Sequence, residues 1–162
     1  MGIDMHEEAR KALQGWFDGF NSKALKIERM VLCKRVMGWK RFERDTREGK
    51  LTPGSKILIY VEIKNFMLKE QNGKYTMHLS YDHVLLDEKD RRIAFPDFIG
   101  LPPSEKEDRL EFEGKVDEFY QTFLLTIPRD LPRGTYRINL TVKDEIGGGS
   151  ATASLEVFIG MQ

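Results

Sequence analysis

Cysteine occurs once in the 162 residues, at Cys33, so no disulfide framework can staple this chain. Histidine occurs only three times, and neither His-Glu-x-x-His nor paired Cys-x-x-Cys spacing is present. A Gly-x-Ser-x-Gly nucleophile elbow is missing as well. The longest apolar run, Ile57-Leu58-Ile59-Tyr60-Val61, falls far short of the roughly 20 residues a membrane-crossing helix needs. Charge of one sign is lacking too. Lys and Arg number 26 against 26 Asp and Glu, which excludes both attachment to polyanions by bulk charge and an acidic disordered tail. The first eight residues carry neither a basic n-region nor an apolar h-region, so no secretory signal is read there and a cytoplasmic location is the expectation.

What remains is about one domain's worth of chain, long enough to bury roughly 70% of its unfolded surface without staples. Residues 1–23 read as an amphipathic helix. Asp4 with Glu7 forms an Asp-led capping box, and Glu7 and Glu8 suit the positive end of the helix dipole. Ala9, Leu13, Trp16, Phe17 and Phe20 then fall on one stripe, and Gly19 with Asn21-Ser22 supplies the stop. Such a short helix is marginal alone in water, so the stripe must pack on its own domain, on a partner or dimer mate, or on a membrane surface, the last disfavoured because the polar face carries acids beside Lys11 and Lys23.

From about Leu25 the period changes from 3.6 to 2, and residues 24–162 read as a single β domain. Leu25, Ile27, Arg29 and Val31 alternate with Lys26, Glu28 and Met30. After a turn at Pro53-Gly54, Ile57, Ile59, Val61 and Ile63 form a second long strand, and Tyr75, Met77, Leu79 and Tyr81 a third. A tight turn at Asn72-Gly73 would put its flanking strands in one sheet. If all of 67–73 is loop, the chain could instead arch between two sheets. A hairpin is predicted around Asp87–Asp90, and a long loop from Gly100 to Gly114. Phe119, Phe123, Leu125 and Ile127 share a face that Gln121 interrupts. Tyr136 to Val142 shows the cleanest alternation, and Gly147-Gly148-Gly149 turns it into a last strand, so 136–143 and 150–159 should pair. Six or seven strands without βαβ alternation predict an antiparallel β-sandwich.

Pro128-Arg129-Asp130-Leu131-Pro132-Arg133-Gly134-Thr135-Tyr136, followed by an alternating strand and Asp144, resembles the Pro-Gly-x-Tyr lead-in of bacterial immunoglobulin-like domains. There a tyrosine packs its ring inward while its hydroxyl reaches nearby backbone. Further segments add to the likeness: Leu32-Cys33 with Val36 and Gly38, Leu51-Thr52-Pro53-Gly54, Ile59-Tyr60-Val61-Glu62 with Asn65-Phe66, and an Ala/Ser-rich last strand ending in Phe158-Ile159. In this order, over about residues 25–160, the chain resembles an uncharacterised bacterial family with an immunoglobulin-like β-sandwich. Glu113–Glu118 matches poorly the Arg/Asp cluster that family often carries. The resemblance implies an immunoglobulin-like sandwich behind an N-terminal α-helix, and no known activity.

Catalysis is not expected, and no metal or cofactor is called for. His78 and His83 lie five apart on one strand and must face opposite ways, so they cannot share a metal. Asp82, His83, Asp87, Glu88 and Asp90 form the densest ligand-type cluster and read as a solvated hairpin. Cys33, among Val31, Leu32 and Val36, reads as a small buried hydrophobe. Charge is uneven: residues 26–50 hold nine Lys/Arg against four Asp/Glu, and residues 82–118 twelve acids against six bases. The expected role is a non-enzymatic module for protein recognition or self-association. Its candidate binding surface is Trp16, Phe17 and Phe20 on the helix, with Trp39, Lys40, Arg41 and Phe42 in the basic stretch. Two alternatives are a carbohydrate-binding module with a platform from Trp39, Tyr60 or Tyr120, and a single-stranded nucleic-acid binder through residues 34–50. The latter would combine phosphate contacts with base stacking. It is disfavoured against Trp39 and Phe42 capping one end of the sandwich.

Overall fold

A two-residue period gives a strand one wet face and one dry face, and two such strands or sheets bury their dry faces against each other. The computed structural model describes residues 24–93, 95 and 107–160. Within them lie β1 (Lys26–Gly38), β2 (Arg41–Arg44), β3 (Lys50–Leu51), β4 (Lys56–Lys64), β5 (Lys69–Gln71) and β6 (Lys74–Leu86). They are followed by β7 (Arg92–Ile93), β8 (Glu107–Phe112), β9 (Glu118–Thr126), β10 (Gly134–Asp144) and β11 (Ser150–Ile159). The helix predicted over 1–23 lies outside the described residues. The strands exceed the predicted number because β2, β3, β5 and β7 are pieces of two to four residues.

One sheet has the order β2-β1-β4-β9. The other has the order β3-β11-β10-β6-β5, with β7 and β8 also paired to β6. The two make a β-sandwich. Its core joins Ile57, Ile59, Val61 and Ile63 of β4 and Phe123 and Leu125 of β9 to Met77, Leu79, Tyr81 and Leu85 of β6 and Ile138, Leu140 and Val142 of β10. Each such side chain contributes about 1.5–3 kcal/mol when fully buried. The predicted hairpin between 136–143 and 150–159 is present, paired without a break from Gly134↔Ile159 to Lys143↔Ser150. Tyr136 packs inward, and its hydroxyl donates to the Pro132 carbonyl at 2.6 Å.

The choice left open around Asn72-Gly73 resolves into both geometries. Asn72 and Gly73 take positive φ (54° and 77°) in a two-residue turn that pairs Gln71 with Lys74. The arch between sheets lies just before it, at Asn65–Leu68. There Asn65 N–H donates to the Asp117 carbonyl at 2.9 Å. The buried Asp144 carboxylate accepts Met67 N–H at 2.7 Å, and Ile146 and Gly147 N–H at 3.0 Å each. One anion thus ties the crossover to the β10–β11 turn. A Cβ on Gly147 would sit 2.8 Å from both Asp144 Oδ2 and Met67 Cγ, so only glycine fits there.

Two expectations are corrected. The single face read for Leu25, Ile27, Arg29 and Val31 splits, because Ile27 pairs with Ile63 and Arg29 with Glu62, leaving Glu28 as an extra residue. That bulge re-phases β1. Beyond it Met30 and Leu32 pack on the core, while Val31 and Cys33 turn outward. The loop predicted for 100–114 contains β8, whose acidic residues hid it. Its partner is the edge of β6 opposite β10, since Leu79 and Ser80 pair with both strands. Asp108 of β8 accepts from Tyr81 Oη at 2.6 Å and Gln121 Nε2 at 2.7 Å, which explains the polar residue on an apolar face of β9.

Asp144→Ala should cost about 3–5 kcal/mol in chemical denaturation, because three amides lose a charged acceptor. Tyr136→Phe should cost only about 1 kcal/mol in the same assay, with the fold retained.

Candidate functional site

Strand β4 is buried on both faces, and this shapes the outer surface of the four-stranded sheet. Ile57, Ile59, Val61 and Ile63 face the core. Tyr60 and Glu62 face outward, yet are only 0% and 3% exposed. Tyr60 lies opposite Val31 of β1, and Glu62 opposite Tyr120 of β9. The Tyr60 ring sits 4.6 Å from Phe42 of β2 and 5.6 Å from Tyr120, centroid to centroid. Val31, Cys33 and Tyr60 form a second small core here, with Val36, Phe42, Leu58 and Tyr120 around it.

A polar chain runs through this cluster and fixes the β1–β2 hairpin. Tyr60 Oη donates to Glu62 Oε1 and accepts the Lys40 backbone N–H, both at 2.7 Å. Lys40 has φ 59°, a left-handed conformation that a side chain resists, so the Tyr60 contact holds a strained turn in place. Arg29 Nε lies 3.9 Å from Glu62 Oε2, and the Arg29 and Arg44 guanidinium groups each lie 5.8 Å from the Phe42 ring centre. Burial pushes the Tyr60 phenol up to about 12, and the Glu62 carboxylate adds to the rise against the lowering from Lys40 N–H. Burial likewise pushes the Cys33 thiol up, and its Sγ donates to the Val31 carbonyl at 3.6 Å. That environment suits a packing residue.

The predicted surface residues therefore separate. Trp16, Phe17 and Phe20 lie outside the described residues. Phe42 is half-buried in the cluster. Trp39, Lys40 and Arg41 stand exposed at the hairpin tip, with Trp39 at 47% and the Lys40 ammonium 4.6 Å from its ring centre. Of the three aromatics considered for a sugar platform, Tyr60 is closed off and Tyr120 is half-buried against it, which leaves Trp39. The acidic hairpin at 82–90 does not converge. His83 turns into the core against Phe123 at 4.4 Å, and His78 faces outward to Glu107 at 2.9 Å. Asp82 pairs with Arg92, Asp87 with Arg91, and Asp90 with Arg137. Among the described residues no group of three or more His, Cys, Asp or Glu is placed to hold a metal.

Sequence reasoning missed the Tyr60–Glu62 pair and the second core. The signal was present in the unbroken run from Ile57 to Val61, since a strand wet on one face alternates and a strand buried on both does not.

No family model matches the chain, and no curated protein sequence does. A family 123 glycoside hydrolase from Clostridium perfringens is similar at a TM-score of 0.46 and 12% identity, over 70% of this chain and 22% of that one. The chain thus spans under a quarter of the hydrolase's length. A Niemann-Pick type C2 protein from the Japanese carpenter ant scores 0.45 at 12% identity, over 85% of this chain and 93% of that one. A CARDB domain from Pyrococcus furiosus, in complex with di-metal ions, scores 0.40 at 15% identity, over 86% and 93%. Likenesses this distant leave function to the chain's own residues.

Tyr60→Phe should cost about 1–3 kcal/mol, because Lys40 N–H and the Glu62 carboxylate each lose a partner. Hydrogen exchange at the Lys40 amide should accelerate. The raised Tyr60 value makes stability complete below pH 10 and progressively lost as pH rises toward about 12. Tyr81 is pushed the same way by burial, so Tyr60→Phe should flatten that alkaline loss only in part, as read from melting curves across the range.

Proposed function

We propose that this protein is a non-enzymatic, immunoglobulin-like recognition module that docks an acidic protein partner on its β1–β2 hairpin tip. The observation that carries the reading is Trp39, a large aromatic held out in solvent on a turn whose backbone is anchored by a buried tyrosine. Trp and Arg dominate interface hot spots, and a pre-fixed loop loses little entropy on docking. Lys34, Lys40 and Arg41 are exposed around it, and Met37 adds apolar area at 51% exposure. A positive rim of this kind steers an acidic partner and sets orientation.

The same aromatic flanked by cations is the chemistry of single-strand stacking, so the test must tell protein from nucleic acid. A photo-crosslinking amino acid at position 39, introduced in the host cell, should give an adduct with a discrete protein. Charge reversal at Lys40 and Arg41 should cut its yield roughly tenfold, about 1.4 kcal/mol. A crosslinker at the exposed Thr152, on the other sheet, should not give that adduct. Adducts with nucleic acid would replace this reading, and none at position 39 would overturn it.

A further inference from the structure

Apart from the hairpin tip, positive charge also gathers in a concave place. A cleft of about 460 Å³ lies between the turn that joins β6 to β7 and the Pro132–Tyr136 lead-in to β10. That volume is within the roughly 300–1,000 Å³ of small-molecule sites. Lys89, Arg91 and Arg92 line one wall and Arg133 the other, against the acids Asp87 and Glu88. Asp87 is committed to its own turn, accepting Lys89 N–H and Arg91 N–H at 2.9 Å each and Arg91 Nε at 2.7 Å. Arg92 reaches Asp82 only at 3.4 Å. Among the described residues neither Lys89 nor Arg133 has a carboxylate partner, and the Arg133 guanidinium lies 5.6 Å from the Phe158 ring centre. The cations are exposed, so their charge is open to a ligand.

Glu88 shows what the cleft accepts. Its carboxylate crosses from one wall to take Thr135 N–H on the other at 3.3 Å, well beyond the usual length of about 2.9 Å. Gly134 makes room for the crossing, since a Cβ there would stand 3.3 Å from Glu88 Oε1. A carboxylate oxygen thus holds, loosely, the place where a backbone amide and several cations converge. We propose that the cleft binds a small phosphate monoester, its dianion among Lys89, Arg91 and Arg133 in place of the Glu88 carboxylate, its organic part against Ile93 and Pro132. Guanidinium forks match phosphate oxygens, and a dianion engages several cations at once where a lone carboxylate does not. Both walls are fixed before a ligand arrives. Asp87 N–H donates to the Arg91 carbonyl at 3.1 Å on one side, and Tyr136 Oη to the Pro132 carbonyl on the other, so little ordering is left for binding to impose.

Phenyl phosphate is the probe, titrated at constant ionic strength into the isotope-labelled full-length protein and followed by amide NMR. The Arg91, Gly134 and Thr135 amides should shift saturably. Lys89→Gln and Arg133→Gln should each weaken binding several-fold. Glu88→Gln should strengthen it several-fold, a sign opposite to that of a residue that merely holds the cleft together. Lys74→Gln, at the far end of β6, should change nothing. All four side chains are exposed, so the fold is not threatened, and melting curves check this. Shifts that do not saturate, or an equal loss from Lys74→Gln, would overturn the proposal in favour of diffuse charge. Unchanged affinity in Glu88→Gln would overturn it too. So would benzoate or phenyl sulfate binding as tightly as the probe, since a monoanion would then suffice, or inorganic phosphate doing so, since the organic part would then have no role. The titration involves no protein partner, so its outcome is independent of any adduct at position 39.

Discussion

The Asp144 carboxylate is the constraint on which the two-sheet arrangement turns. The chain must leave β4 in one sheet and begin β5 in the other within four residues, and later reverse between β10 and β11. Both irregular segments leave backbone N–H groups without ladder partners, and buried amides need acceptors. A single anion serves Met67 from the first segment and Ile146 and Gly147 from the second. It therefore sets the spacing between the sheets at that end as well as the turn itself. Gly147 belongs to the same constraint, since any side chain would enter the space the carboxylate and Met67 occupy.

The opposite outer face obeys a different rule. Tyr60 is a surface position by topology and a core position by burial, and Glu62 follows it inward because the phenol gives the carboxylate a donor. Burying a carboxylate without partners costs several kcal/mol. Linking it to Tyr60, and Tyr60 to the Lys40 amide, turns that cost into a geometric device that fixes a strained turn two strands away.

Much of this was legible in the sequence wherever alternation was clean. The β10–β11 hairpin followed from Tyr136, Ile138, Leu140 and Val142, and the tyrosine lead-in from Pro132, Gly134 and Tyr136. Asn72-Gly73 announced its turn because few other pairs tolerate two positive φ angles. Three features were hidden for physical reasons. The Glu28 bulge shifts phase without changing composition. Strand β8 owes its conformation to the edge of β6 and to Asp108 bridging Tyr81 and Gln121, not to its own propensity. The outer cluster depends on Phe42, Tyr60 and Tyr120 meeting across β2, β4 and β9, a register no local pattern encodes.

The placement of the first and last long strands has a mechanical consequence. β1 pairs with β4 over Lys26–Cys33 and with β2 over Cys33–Gly38, and β11 pairs with β10 throughout and with β3 only at Phe158 and Ile159, so each is laddered into its sheet along its whole length. Leu25 Cβ lies 3.7 Å from where a Gly149 Cβ would stand, so β1 begins beside the start of β11. The end of β11 lies at the other end of the sandwich, beside Gly134. Tension applied between the two termini of the folded unit would run along the strands and load their hydrogen bonds in shear, where many must yield together. A domain so strung resists stretching far better than one whose terminal strands can be peeled away bond by bond.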